Sequence, residues 1–129
     1  MSNQPQSYSP LALAFLGDAE YGLMVRKKLL CTANRHAGDL HKMAVRYVCA
    51  PAQAKGAMAI LPMLNEQETA VYKRGRNAHT THTPKGASTA EYSAATGLEA
   101  LFGYLSLAGD NERMRELFNA VVAAIERAS

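Results

Sequence analysis

Two long apolar segments dominate this sequence, and each of them contains one isolated acidic residue. The first begins at Ser9 and carries Asp18, while the second runs from Tyr92 to Gly109 and carries Glu99 as its one charged residue. A buried carboxylate without a partner is costly, so such a group is normally paired, protonated or bound to a cation. The pattern therefore predicts that the two acids share a metal site. A structural carboxylate bonded to a buried polar group is the alternative.

Helical signals recur along the whole chain, and no segment is convincing as a strand. Ser9 followed by proline is typical of a helix start. The pairs Asn65/Glu68 and Ser88/Glu91 match the capping box that opens a helix. We expect helices at residues 9–30, 39–48, 51–62, 65–74, 88–109 and from 110 onward. The sequence thus predicts an all-α fold of about six to seven helices.

Glycine precedes both isolated acids. Gly17 stands directly before Asp18, and Gly97 lies two residues before Glu99. Glycine inside a helix costs about 1 kcal/mol relative to alanine, so both positions call for a packing reason. Close approach of the first and fifth helices supplies one, and it brings the two acids towards a common point.

Length and composition favour one globular domain over residues 1–129. The chain is 48% hydrophobic and 19% charged, and no apolar run reaches the length of a membrane span. The polar N-terminus is unlike a signal peptide, so we expect a cytoplasmic protein without membrane partners. Residues 1–8 are expected to be a flexible N-terminus and residues 75–87 a long polar loop, either mobile or functional. Cys31 and Cys49 lack a CxxC pattern and are expected to be reduced thiols.

Positive charge is concentrated rather than spread evenly, although the net charge is only +3. No acid lies between Glu68 and Glu91. The basic side chains in that interval are Lys73, Arg74, Arg76, His79, His82 and Lys85. A second basic group consists of Arg26, Lys27, Lys28, Arg35, Lys42 and Arg46. Such segments attract a polyanion; an ordinary solvated surface is the alternative.

The motifs around the two acids resemble a known family. Residues 15–19, FLGDA, closely resemble the core of the ribonuclease III signature helix, and residues 99–105, EALFGYL, resemble the family's second acidic helix. Further likeness lies in residues 11–14, 47–48, 52–54, 74–78 and 95–101, and it points to the Mini-ribonuclease III subgroup. The resemblance extends from about Ser9 to Ile125.

The resemblance implies the all-helical ribonuclease III catalytic domain, working as a homodimer without a double-stranded-RNA-binding domain. It implies magnesium-dependent hydrolysis of double-stranded RNA, leaving 5′-phosphate and 3′-hydroxyl ends. Asp18 and Glu99 match the family's catalytic residues, and both are expected to be metal ligands. Manganese can substitute for magnesium at an oxygen-ligand site. Leu11, Ala14 and Thr96 replace three further acids of full-length ribonuclease III, which leaves a sparse set of ligands.

Side chains in and before the polar loop are the candidates for holding RNA. These RNA-binding candidates are Arg74, Arg76, Asn77, Lys85, His79 and His82. Helix capping is the alternative role for Arg74 and Asn77. The subgroup is associated with maturation of precursor 23S ribosomal RNA, and a ribosomal protein on the substrate is a possible further partner. Two rival functions remain open: a ribonuclease III-like module that binds structured RNA without cutting it, and a helical metal-binding or redox protein unrelated to RNA.

Overall fold

The computed structural model describes residues 4–32, 34–78 and 86–128. Within those ranges the secondary structure is entirely helical, which confirms the all-α prediction. The helices are α1 (Pro10–Thr32), α2 (Ala37–Val48), α3 (Ala50–Ile60), α4 (Glu66–Arg76), α5 (Thr89–Leu107) and α6 (Asn111–Arg127), with 3-10 turns at Pro5–Ser7 and Leu61–Met63. None of the described helices is both long and apolar enough to cross a membrane.

Helix α5 lies at the centre of the fold, with α1, α3 and α4 packed against it. Its residues Leu98, Leu101 and Phe102 are fully buried. Tyr21 of α1 meets Phe102 and Phe118 edge-to-face, each ring pair 5.7 Å apart. Burial of each large apolar side chain contributes about 1.5–3 kcal/mol, so this central cluster fixes α5 against its neighbours.

The helix starts follow the capping residues read from the sequence. Asn65 and Glu68 form a reciprocal capping box at α4, and Ser88 and Glu91 form another at α5. The Asp110 side chain accepts a hydrogen bond from a backbone N–H in the first turn of α6. These local predictions are confirmed.

The end of α4 differs from the prediction. The helix continues to Arg76 rather than stopping at Arg74, so the polar segment begins at Asn77. Gly75 therefore lies inside the helix. The residue is glycine because a Cβ there would come within 2.7 Å of the Ala100 Cβ and 3.0 Å of the Gly97 Cα. This glycine permits close packing of α4 on α5 and does not end the helix.

Glycine also permits the crossing of α1 and α5. A Cβ on Gly17 would overlap the carbonyl of Glu99, and a Cβ on Gly103 would overlap the carbonyl of Leu13. The predicted packing role of Gly17 is confirmed. Gly97 also has a packing role, but the predicted partner was wrong: a Cβ there would come within 2.8 Å of Tyr72 on α4, not of α1.

An ion pair between a buried carboxylate, Glu68, and the half-buried Arg113 fastens α4 to α6. Arg113 donates to both carboxylate oxygens of Glu68, at 2.8 and 2.9 Å, and to the Met63 carbonyl at 2.7 Å. Glu68 is only 3% exposed, and the Arg113 guanidinium holds the pKa of that carboxyl below its ordinary value. The pair fixes the start of α4, and the last turn of the same helix carries Lys73, Arg74 and Arg76.

Candidate active site

The crossing of α1 and α5 brings Asp18 and Glu99 together. Gly17 rests on the backbone of Glu99, so the next residue of α1 projects beside that acid. The pKa of Glu99 is raised to about 8, first by burial, then by the negative charge of Asp18 and a hydrogen bond between the two carboxyl groups. The predicted approach of the two acids is therefore present. Their role as metal ligands stays a prediction.

The two acids differ in their exposure to solvent. Glu99 is partly buried, whereas Asp18 is exposed. The expectation that both carboxylates are buried was wrong for Asp18, because α1 is apolar on its outer face as well as on its core face. Leu13 of this helix is 1% exposed and Phe15 is 83% exposed. An apolar sequence context therefore did not imply burial.

A buried amide from α3 completes the group, and it was not among the predicted site residues. The Gln53 side chain is 2% exposed. Its Nε2 donates to the Val48 carbonyl at 2.9 Å and lies 3.5 Å from Glu99 Oε2. The one available signal was its position between two alanines in residues 52–54, a segment that resembles the subgroup.

An open cavity lies beside these side chains. Its volume is about 550 Å³, and Glu99 and Gln53 form part of its wall. Cys49, Tyr92 and Thr96 line it as well. The Thr96 hydroxyl donates to the Tyr92 carbonyl at 3.0 Å, so this residue, which replaces an acid of full-length ribonuclease III, is bonded within its own helix. The cavity has room for part of a ligand next to Glu99.

The donor set suits a hard divalent cation. Two carboxylates lie side by side, and placing both in the ionised form without a cation is unfavourable, as the raised pKa of Glu99 shows. Across the described residues, no group of three or more His, Cys, Asp or Glu side chains is placed to hold a metal. Magnesium commonly uses one or two protein carboxylates and keeps several waters, so Asp18 and Glu99 fit that ion.

The described RNA-binding candidates lie at the end of α4. Arg74 is exposed and donates to the Tyr8 carbonyl at 3.3 Å. The Arg76 guanidinium lies 5.8 Å from the centre of the Tyr72 ring, and its Nε lies 3.4 Å from Asn77 Oδ1. The backbone N–H of Asn77 caps α4. His79, His82 and Lys85 lie outside the described residues.

The end of α4 is close to the site along α5. Gly75 packs against residues 96–100 of α5, the turn that contains Glu99. Arg74 and Arg76 flank this glycine and are exposed. The backbone between these two arginines thus packs on the turn of α5 that contains Glu99.

Comparisons with known proteins agree with this arrangement. The family model described as the ribonuclease III domain matches residues 11–110. The chain belongs to the ribonuclease III family. A Mini-ribonuclease 3 from Symbiobacterium thermophilum is 50% identical over 123 residues, which cover 95% of each chain. A Mini-ribonuclease 3 from Brevibacillus brevis is 43% identical over 126 residues, covering 98% of this chain and 94% of the relative.

A solved structure shows the same fold. The crystal structure of a protein from Fusobacterium nucleatum superimposes with a TM-score of 0.84 at 33% identity, covering 95% of this chain and 98% of that one. The resemblance to the ribonuclease III family, and to its Mini-ribonuclease III subgroup, is confirmed. So is the prediction that the chain has the fold of the ribonuclease III catalytic domain.

Proposed function

We propose that this chain is a divalent-metal-dependent endoribonuclease that hydrolyses double-stranded RNA, with precursor 23S ribosomal RNA as its natural substrate. The observation that carries the proposal is the meeting of Asp18 and Glu99, from two different helices, beside an open cavity. Membership of the ribonuclease III family and the similarity to proteins named Mini-ribonuclease 3 support it. A cytoplasmic location belongs to the same proposal.

In this proposal Asp18 and Glu99 hold magnesium, with manganese as a substitute. When bound, the ion supplies Lewis acidity at the scissile phosphate and lowers the pKa of a water molecule. Asp18 is exposed and therefore faces the substrate, while Glu99 is held at the inner wall of the site. Arg74 and Arg76 neutralise phosphates of the duplex from the end of α4, because duplex RNA is recognised largely through its phosphates and 2′-hydroxyls.

A homodimer is part of the proposal, and the outer face of α1 supports it. Leu11, Phe15, Leu23 and Leu30 are 42–83% exposed along this one helix. Several large apolar side chains exposed on one helix are typical of a protein interface. Phe15→Glu should therefore yield a monomer in size-exclusion chromatography with light scattering, with unchanged circular dichroism. Leu107→Glu, at an exposed leucine at the end of α5, is the matched control and should leave the oligomeric state unchanged.

The test of the activity is cleavage of a labelled RNA duplex taken from the paired ends of precursor 23S ribosomal RNA. We expect cleavage with magnesium, none with EDTA, and a loss of at least about a hundredfold in Asp18→Asn and Glu99→Gln, whose changes are nearly isosteric. Asp39→Asn removes an exposed acid from the first turn of α2 and should cut normally. Wild-type rates in both site variants would refute the assignment. Binding without cleavage by the unmodified chain would favour the non-cleaving RNA-binding module.

A further inference from the structure

Gln53 has a buried side chain that neither the core nor the proposed chemistry has yet explained. It lies on α3 among alanines and is 2% exposed. A buried amide is costly unless its hydrogen-bonding groups are paired. The Oε1 atom of Gln53 has no hydrogen-bond partner in the part of the chain that the structure describes. An apolar residue of similar size would avoid that cost, so the amide calls for a reason.

The contacts of the Gln53 amide give a reason for its burial. Its nitrogen lies between two oxygens, the Val48 carbonyl at 2.9 Å and Glu99 Oε2 at 3.5 Å. The opposite orientation of the amide would place its oxygen against the Val48 carbonyl oxygen, which is repulsive. The nitrogen therefore faces Glu99, and one N–H is available to each acceptor. The contact with Glu99 is longer than the bond to Val48.

We propose that Gln53 is a positioning residue that holds one oxygen of Glu99, so that the other oxygen faces the cation. This inference rests on the proposed metal-dependent function. The bond from Gln53 to Val48 ties the amide to the end of α2, so the donor is already fixed in place when the cation binds. A carboxylate that is oriented in advance loses less rotational freedom on binding, and partners of this kind support metal affinity in proteins.

Binding of manganese without RNA tests the inference separately from catalysis. Free Mn²⁺ is measured by electron paramagnetic resonance during titration of the full chain. Gln53→Met keeps the length of the side chain and removes the amide, and we expect about 10–100-fold weaker binding. Gln67→Met is the control, because it makes the same substitution at an exposed position in the first turn of α4, outside the cavity wall. Its affinity should stay within about twofold of the unmodified chain.

A double-mutant cycle shows whether Gln53 acts through Glu99. Adding Gln53→Met to Glu99→Gln should cause no further loss beyond that of Glu99→Gln alone, since the interaction is already removed. The inference would be overturned if the losses of Mn²⁺ affinity in the two single variants added up fully in the double variant. It would also be overturned if Gln53→Met bound Mn²⁺ within twofold of the unmodified chain. Binding that is insensitive to Asp18→Asn and Glu99→Gln would instead refute the metal site itself.

A measurement on the unmodified chain avoids any question of whether the variants fold. The side-chain amide resonances of Gln53 in a ¹⁵N nuclear magnetic resonance spectrum should shift as magnesium is added. In Glu99→Gln they should not respond. Resonances that stay fixed at saturating magnesium in the unmodified chain would contradict the proposal, whatever the variants do.

Discussion

The acid Glu99 should destabilise the metal-free protein at neutral and alkaline pH. Burial and the charge of Asp18 raise its pKa in the folded chain from the ordinary 4.5 to about 8. Between these two values the folded state binds more protons than the unfolded state. The free energy of unfolding therefore falls as the pH rises through this window. The stability that protonated Glu99 contributes to the folded chain is fully present below about pH 4.5 and is lost by about pH 8.

The size of this effect follows from the same two pKa values. Linkage gives roughly 3–4 kcal/mol of stability lost between about pH 5 and pH 8, and we reduce this to about 2–3 kcal/mol because Glu99 is partly exposed to solvent. Glu99→Gln cannot ionise, so it should be more stable than the unmodified chain by that amount at pH 8, and by less than about 1 kcal/mol at pH 5.

Urea unfolding in EDTA, followed by circular dichroism at both pH values, measures the difference. Glu112→Gln, an acid of the first turn of α6, controls for the loss of one negative charge. Magnesium should then stabilise the unmodified chain and leave Glu99→Gln unchanged, because only the ionised pair gains from the cation. A Glu99→Gln variant that is less stable at pH 8, or whose advantage is the same at both pH values, would refute the reasoning.

Three further outcomes follow from other contacts. Gly17→Ala should unfold the chain or cost more than about 3 kcal/mol in urea unfolding, because its Cβ would overlap the Glu99 carbonyl, whereas Gly38→Ala has open space and should be neutral or stabilising. Glu68→Gln should cost about 2 kcal/mol at neutral pH, because the buried carboxylate that accepts two bonds from Arg113 becomes a neutral amide, while Arg113 keeps Glu116 and the Met63 carbonyl as partners. Since the folded pKa of Glu68 is lowered, this difference should shrink as the pH falls below about 4.5, and a constant difference would contradict the ion pair's role. Arg76→Ala should weaken RNA binding and reduce the slope of log affinity against log salt by about one, and an unchanged slope would exclude a phosphate contact.

The sequence predicted what depends on neighbours along the chain. Capping side chains act over three residues, so the starts of α4 and α5 were predictable from Asn65 and Ser88. Gly17 was interpretable for a related reason: a glycine within an apolar helix needs a close neighbour, and a second glycine beside Glu99 pointed to the helix that carries that acid. The fold class and the meeting of the two acids were therefore within reach.

The parts that were missed depend on contacts between distant segments. Gln53 and Glu99 are 46 residues apart in the sequence. No local pattern could therefore show that the Gln53 amide faces the Glu99 carboxylate. Gly97 looked equivalent to Gly17 but faces Tyr72 on a different helix. The exposure of Asp18 was unpredictable from composition, since the buried and exposed faces of α1 are both apolar.

The exposed apolar face of α1 and the position of Asp18 beside it connect the proposed metal site to the proposed dimer. Successive residues of a helix point in different directions, so Gly17 can face α5 while Phe15 faces outward. Asp18 follows Gly17 directly and lies three residues from Phe15, which places it between the core face and the exposed apolar face. A partner that covers Phe15 would also exclude water near Asp18. Because charges attract more strongly where water is excluded, the interface would strengthen the hold of Asp18 on a cation. In the proposed dimer, the outer apolar face of α1, which is exposed in the single chain, would thus have a role in the site.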